Sequence, residues 1–158
     1  MGQVIDTLAT LKTIIEEERS AGKRIVFGNG CFDLLHVGHV RYLKGAKALG
    51  DILIVAVNDD DSVAALGKRE KVVTPAAERA EIIAALDGVD YVILFREATV
   101  ENLLRTLKPD IHAKGTDYTE ESVPEKNIVR SYGGRIAIVG DPKGHSTRDL
   151  IQTIKGLR

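Results

Sequence analysis

The sequence predicts a single-domain α/β protein, an open sheet of about five parallel strands with helices on both faces. Two observations predict it. Short apolar runs recur at residues 24–28, 51–57, 89–95, 109–113 and 135–139, and they are continuous rather than alternating, as in strands covered on both faces. Between them, apolar residues return every three to four positions, the pattern of helices with one buried face. Strand–helix alternation of this kind builds a parallel sheet through right-handed crossovers.

Each element has its own warrant. Residues 3–20 space Val4, Leu8, Leu11, Ile14 and Ile15 on one face, so residues 1–22 read as an N-terminal helix packed on the core. RIVFG at 24–28 follows as the first strand. Val40, Leu43, Ala46 and Leu49 mark a helix over 38–49. DILIVAV at 51–57 is the apolar run richest in Ile and Val. Thr74-Pro75 opens a helix over 75–87, with proline where its missing N–H costs least. VDYVILF, PDIHA and RIAIV supply the remaining strands, with helices over 98–107, about 122–132 and 146–155. Ser146, with Asp149 three positions on, resembles a capping box.

Composition narrows the function. The 158 residues carry 22 basic and 23 acidic side chains, a formal charge of −1. That suits one domain, 1–158, and excludes a strongly basic nucleic-acid binder. One cysteine, Cys31, excludes disulfide scaffolds and Cys-rich zinc modules. Nothing near it suggests a nucleophile with its base. The N-terminus has no long apolar stretch, so neither a secretion signal nor a membrane span is expected. A cytoplasmic location with no nucleic-acid or membrane partner is the expectation.

Parallel sheets bind ligands beyond the carboxyl ends of their strands, which directs attention to 29–39, 58–62, 96–99, 114–118 and 140–147. The first window reads Gly28-Asn29-Gly30-Cys31-Phe32-Asp33-Leu34-Leu35-His36-Val37-Gly38-His39. It is not the dinucleotide fingerprint, because Asp33 stands where the third glycine belongs. It does place two imidazoles three residues apart at a helix mouth, on one side of the helix. Free N–H groups and the helix dipole gather there, and Gly38 leaves the backbone open to a phosphate. Such donors suit negative charge developing on phosphoryl oxygens. The plainer alternative is one His as a cap and the other in the core.

Gly30-x-Phe32-Asp33-x-x-His36-x-Gly38-His39 resembles the signature of the cytidylyltransferase-like nucleotidyltransferases. Over residues 22–155 the chain is similar more narrowly to the adenylyltransferase domain of bacterial ADP-heptose synthesis. Glu78-Arg79, Leu86-Asp87-Gly88-Val89-Asp90, Lys114-Gly115-Thr116-Asp117-Tyr118 and Gly144-His145-Ser146-Thr147 carry the likeness onward. The resemblance implies a Rossmann-like nucleotidyltransferase fold and transfer of AMP from ATP to D-glycero-D-manno-heptose 1-phosphate, with pyrophosphate leaving and no covalent intermediate.

By the same resemblance, His36, His39 and Lys68 are catalytic. Asn29, Gly30, Phe32, Asp33, Gly38, Arg79, Gly115, Asp117, Ser146 and Thr147 bind the nucleotide, and Lys114 and Asn58 the sugar phosphate. Mg2+ accompanies ATP, with no metal-ligating residue set of its own. A homodimer is a family-level expectation. So is a separate sugar kinase upstream, because the family's domain is often fused to one.

Alternatives accompany several residues. Asp60 and Asp61 suit a helix start, and Arg69 and Lys71 a solvated loop. The family's usual Lys-Gly reads Gly67-Lys68 here, and Arg148 stands where Ser or Thr is common. Arg79 suits a phosphate contact or an ion pair with Glu78 or Glu81. His112, alone on a short strand, reads as structural. Two rival functions remain open. One is cytidylyl or guanylyl transfer to glycerol phosphate, an aminoalcohol phosphate or heptose phosphate. The other is nucleotide sensing without turnover.

Overall fold

The structure, a computed structural model, describes residues 1–67, 71–142 and 144–157. Its elements run β1 (Gln3–Val4), α1 (Leu8–Ser20), β2 (Ile25–Gly30), α2 (Val37–Lys47), β3 (Ile52–Asn58), α3 (Asp60–Ala65) and α4 (Ala76–Ala84). Then come β4 (Tyr91–Phe95), α5 (Glu101–Leu107), β5 (Ile111–Lys114), α6 (Lys126–Ser131), β6 (Arg135–Ile138) and α7 (Thr147–Gly156). The strands form one sheet in the order β1-β4-β3-β2-β5-β6, and every pairing is parallel. The expected Rossmann-like α/β architecture is therefore present.

Alternate side chains of the strands feed two cores. Ile25, Phe27, Ile52 and Ile54 pack with Leu11 and Ile15 of α1, Leu103, Leu104 and Leu107 of α5, and Val129 of α6. Val26, Leu53, Val55 and Val57 pack on the other face with Leu43 and Ala46 of α2 and Ala80, Ile83 and Ala84 of α4. All seven residues of β3 are buried, which explains its unbroken apolar run.

The N-terminus corrects one expectation. The helix read over 3–20 begins at Leu8, with Thr7 as a cap accepting from Thr10 N–H. Gln3–Val4 instead add a sixth strand to the open edge of β4. Gln3 N–H donates to Asp90 O and Ile5 N–H to Val92 O, so the sheet edge satisfies donors that a helix start would leave open. α4 also starts differently. Pro75 is its cap residue with no side-chain bond, while Thr74 N–H donates to the Asp33 carboxylate.

Strands β2, β3 and β4 step outward in one direction, and β5 then returns to the other side of β2. The chain therefore leaves β2 and β5 in opposite directions, and a crevice opens between Gly30 and Lys114, where such sheets take their ligands.

Candidate active site

Two adjoining cavities fill that crevice. The larger, about 560 Å3, runs from Asn29, Gly30 and Phe32 across Asn58 to Lys114 and Glu125. The smaller, about 330 Å3, lies between the start of α2 and the segment before α7, against His36, Gly38 and Ser146. His39, Tyr42, Gly115, Asp117 and Thr147 line both, so the cavities meet beside His39.

The turn from β2 to α2 is held in an unusual conformation. Phe32 and Leu34 both have positive φ, 51° and 54°, a region costing non-glycine residues on the order of 1–3 kcal/mol each. Asp33, buried between them, offsets that cost. Its carboxylate accepts the N–H groups of Val73 and Thr74 at 2.9 Å, and its carbonyl accepts the Thr147 hydroxyl at 2.5 Å. Phe32 is buried with its ring edge-on to His39 at 5.3 Å. Asp33 and Phe32 thus shape the turn and tie α7 to it.

His36 caps α2. Its Nδ1 accepts Gly38 N–H at 3.1 Å, and His39 Nδ1 accepts His36 N–H at 3.2 Å. The rings stack with centroids 3.8 Å apart. A nitrogen accepting a hydrogen bond carries no proton, so each neutral ring bears its hydrogen on Nε2. Burial, then the neighbouring His36, pushes His39 down to about 4. Burial and His145 lower His36 despite Asp149. Both rings are therefore neutral near pH 7 and offer Nε2–H donors to the crevice. Gly38 is required for this arrangement, because a Cβ there would sit 2.9 Å from the His36 ring.

Arg79 is 1% exposed. Its guanidinium donates to the carbonyls of Thr74, Cys31 and Asn58 and to the Asp60 carboxylate. It braces the crevice walls from behind and lines neither cavity. Asn58 donates to Ser62 Oγ at 2.7 Å and accepts the Cys31 thiol at 3.7 Å. Lys114 Nζ lies 4.6 Å from the Tyr118 ring centroid. Ser146 caps α7 through Asp149 N–H at 3.0 Å. A Cβ on Gly115 would meet no protein atom within 4 Å, so the chain passes the cavities without obstruction. Lys68 lies outside the described residues.

Tyr42 and Glu125 are among the wall residues that the sequence did not single out. Tyr42 donates to Ala113 O at 2.7 Å and accepts Asn29 N–H at 3.3 Å, clasping α2 to the ends of β2 and β5. Its letter at helical spacing looks like ordinary core. Glu125 had no signal in its short polar loop. Burial pushes its carboxyl up, but His112 and Lys114 together hold it below the usual range. His112 is wholly buried, as a structural residue would be. Among the described residues, no group of three or more His, Cys, Asp or Glu side chains gathers to hold a metal, and no helix is long and apolar enough to cross a membrane.

A switch-point crevice offering paired imidazole donors beside a helix N-terminus defines this chain as a nucleotidyltransferase. It belongs to the cytidylyltransferase-like family, whose model matches residues 27–152. The chain is 51% identical over 150 residues to the Bifunctional protein HldE of Geobacter metallireducens, and 45% identical over 149 residues to that of Pseudomonas syringae pv. syringae. Those matches cover 95% and 94% of this chain and 31% of each relative, so the chain spans about three-tenths of their length. The lipopolysaccharide core biosynthesis protein of Thermoplasma volcanium superposes with a TM-score of 0.68 at 31% identity, covering 77% of this chain and all of that one. The pantoate-beta-alanine ligase of Francisella tularensis, at 17% identity and a TM-score of 0.64 over 93% of this chain and 69% of its own, shares the fold.

Proposed function

We propose that the chain transfers AMP from ATP to D-glycero-D-manno-heptose 1-phosphate, giving ADP-heptose and pyrophosphate. The observation that carries the chemistry is the pair of neutral, stacked imidazoles whose Nδ1 atoms are engaged by main-chain N–H groups. The sugar's identity rests on the similarity of residues 22–155 to heptose adenylyltransferase domains.

An acceptor phosphate oxygen attacks the α-phosphorus. The bond from that phosphorus to the bridging oxygen breaks, and pyrophosphate leaves with the electron pair. The attacking group is already an anion, so no general base is needed. His36 and His39 donate Nε2–H to oxygens whose charge grows in the transition state, at a site organised in advance. The α7 N-terminus, with Ser146 and Thr147, supports the triphosphate, and Asn29, Gly30, Gly115 and Asp117 surround the nucleotide. Lys114 and Asn58 face the sugar phosphate. Mg2+ would accompany the triphosphate as a counterion neutralising its oxygens, as it commonly does with substrate phosphates. The resemblance gives Lys68 a role toward the phosphates, and Lys68→Ala is expected to raise the KM for ATP more than for the sugar phosphate.

Initial rates of pyrophosphate release test the reading, using ATP, CTP and GTP against heptose 1-phosphate, glycerol 3-phosphate and phosphoethanolamine. ATP with heptose 1-phosphate is expected to be fastest. A preference for CTP overturns the assignment, and ATP binding without release from any acceptor favours a sensor.

A further inference from the structure

Strand β2 is paired on both sides for only part of its length. It runs beside β3 as far as Gly30 opposite Val57, but beside β5 only through Val26 opposite Ile111 and Phe27 opposite His112. In the same register the next rung would run from Asn29 N–H to Ala113 O, as in an ordinary parallel ladder. That rung is not made. The Tyr42 hydroxyl sits between the two groups, accepting Asn29 N–H at 3.3 Å and donating to Ala113 O at 2.7 Å. Two hydrogen bonds in series replace one of roughly 2.9 Å. The strands part by the width of an oxygen, and neither main-chain group is left unpaired.

The hydroxyl is fitted to this seat. Burial pushes the phenol up, so it keeps the proton it donates. Gly28 leaves room for it, because a Cβ there would lie 2.6 Å from the hydroxyl oxygen. The split also falls where the site begins. Beyond it, Asn29 and Gly30 from β2 and Lys114 and Gly115 at the end of β5 line the larger cavity. Tyr42 itself lines both cavities. It stands three residues after His39 on α2, so the same hydroxyl anchors the helix that carries this imidazole to both strand ends.

We infer that Tyr42 is a positioning residue for the transfer: its hydroxyl wedges β2 from β5, sets the width of the crevice and holds His39 over it. The inference rests on the transfer function proposed above and requires no contact between Tyr42 and the reacting atoms.

Tyr42→Phe removes the wedging oxygen and nothing else. Steady-state kinetics and calorimetric titration with ATP test the inference, both on the full chain well below its melting temperature. The kcat for ATP with heptose 1-phosphate should fall about tenfold, short of the ~10² that a 1 Å misplacement costs, and ATP should bind about tenfold more weakly. A merely structural tyrosine would lower Tm and leave both at parent values, and that result overturns the inference. Gly28→Ala guards against a Tyr42 variant that folds poorly. It keeps the phenol but drives its oxygen off the seat, so it should bring the same losses. Combined with Tyr42→Phe, the new methyl enters room the oxygen has vacated. The double variant should therefore lose less than the two single losses multiplied. Losses that multiply in full also overturn the inference.

The proposed function fails on a different result. The parent would release no pyrophosphate from ATP and heptose 1-phosphate, while ATP binding still depended on Tyr42 and by itself upheld the wedge.

Discussion

His36 and His39 fix each other's ring chemistry. The main-chain N–H of His36 occupies His39 Nδ1, and the rings stack 3.8 Å apart. Neither ring can turn its protonated nitrogen inward without giving up a hydrogen bond at the first turn of α2. His39 stands where the two cavities join, so its loss should be felt in the chemical step. His39→Ala is expected to lower kcat by ~10²–10³, the scale of one lost transition-state donor, with an unchanged far-ultraviolet spectrum. An unchanged rate would remove His39 from the transfer.

The same burial makes the fold sensitive to acid. His39 is held near 4 by burial and by His36, while in the unfolded chain it protonates near its ordinary value of 6.5. Between those values the unfolded chain binds more protons, so stability is complete above about pH 6.5 and declines as pH falls toward 4. His36 and His112, both lowered chiefly by burial, add the same sign. Carboxylates titrate mainly below this window, so its upper half reports the histidines. Thermal melts should show Tm falling from pH 6.5 to 5, with a shallower slope in His39→Gln. A flat profile, or a slope unaltered by that substitution, would contradict the neutral-ring assignment.

The legible parts of the molecule were those with a local pattern. Continuous apolar runs marked β2 to β6, and Ser146 marked α7, because these follow from strand burial and capping. Gln3–Val4 could not be read, since two residues hold no periodicity and their pairing depends on the distant edge of β4. The signature around His36 and His39 was legible because its spacing encodes its geometry. Arg79 was visible as a residue of interest, but its four acceptors come from separated segments. Glu125 and Tyr42 join the site only through the crossover that sets β5 beside β2.

Arg79 is expected to matter for stability before it matters for nucleotide binding. Three main-chain carbonyls and the Asp60 carboxylate share its guanidinium. Removing it strands buried acceptors, so Arg79→Ala should cost about 3 kcal/mol, read as a lower urea midpoint at constant slope. Arg79→Lys should rescue little, because an ammonium cannot span the same fork of acceptors. A variant with an unchanged midpoint but weakened ATP binding would instead assign the guanidinium to the nucleotide.

Gly38 gives the sharpest separation of geometry from stability. It is helical, and a Cβ there points into the His36 ring, 2.9 Å from both Nδ1 and Cε1. That ring is the softest nearby neighbour, being half-buried at the crevice mouth and held by one bond to Gly38 N–H. Gly38→Ala should therefore push the imidazole aside rather than unfold α2, where alanine is otherwise favoured over glycine by about 1 kcal/mol. The opposing effects leave Tm near that of the parent, while displaced Nε2–H costs activity. A shift of about 1 Å in a positioned group is enough for a roughly 10²-fold loss. kcat should fall by about that factor with ATP still bound, and His36→Ala added to Gly38→Ala should cost little more, because both act through one ring. Full activity in Gly38→Ala would mean that the His36 imidazole does not need this position for the transfer.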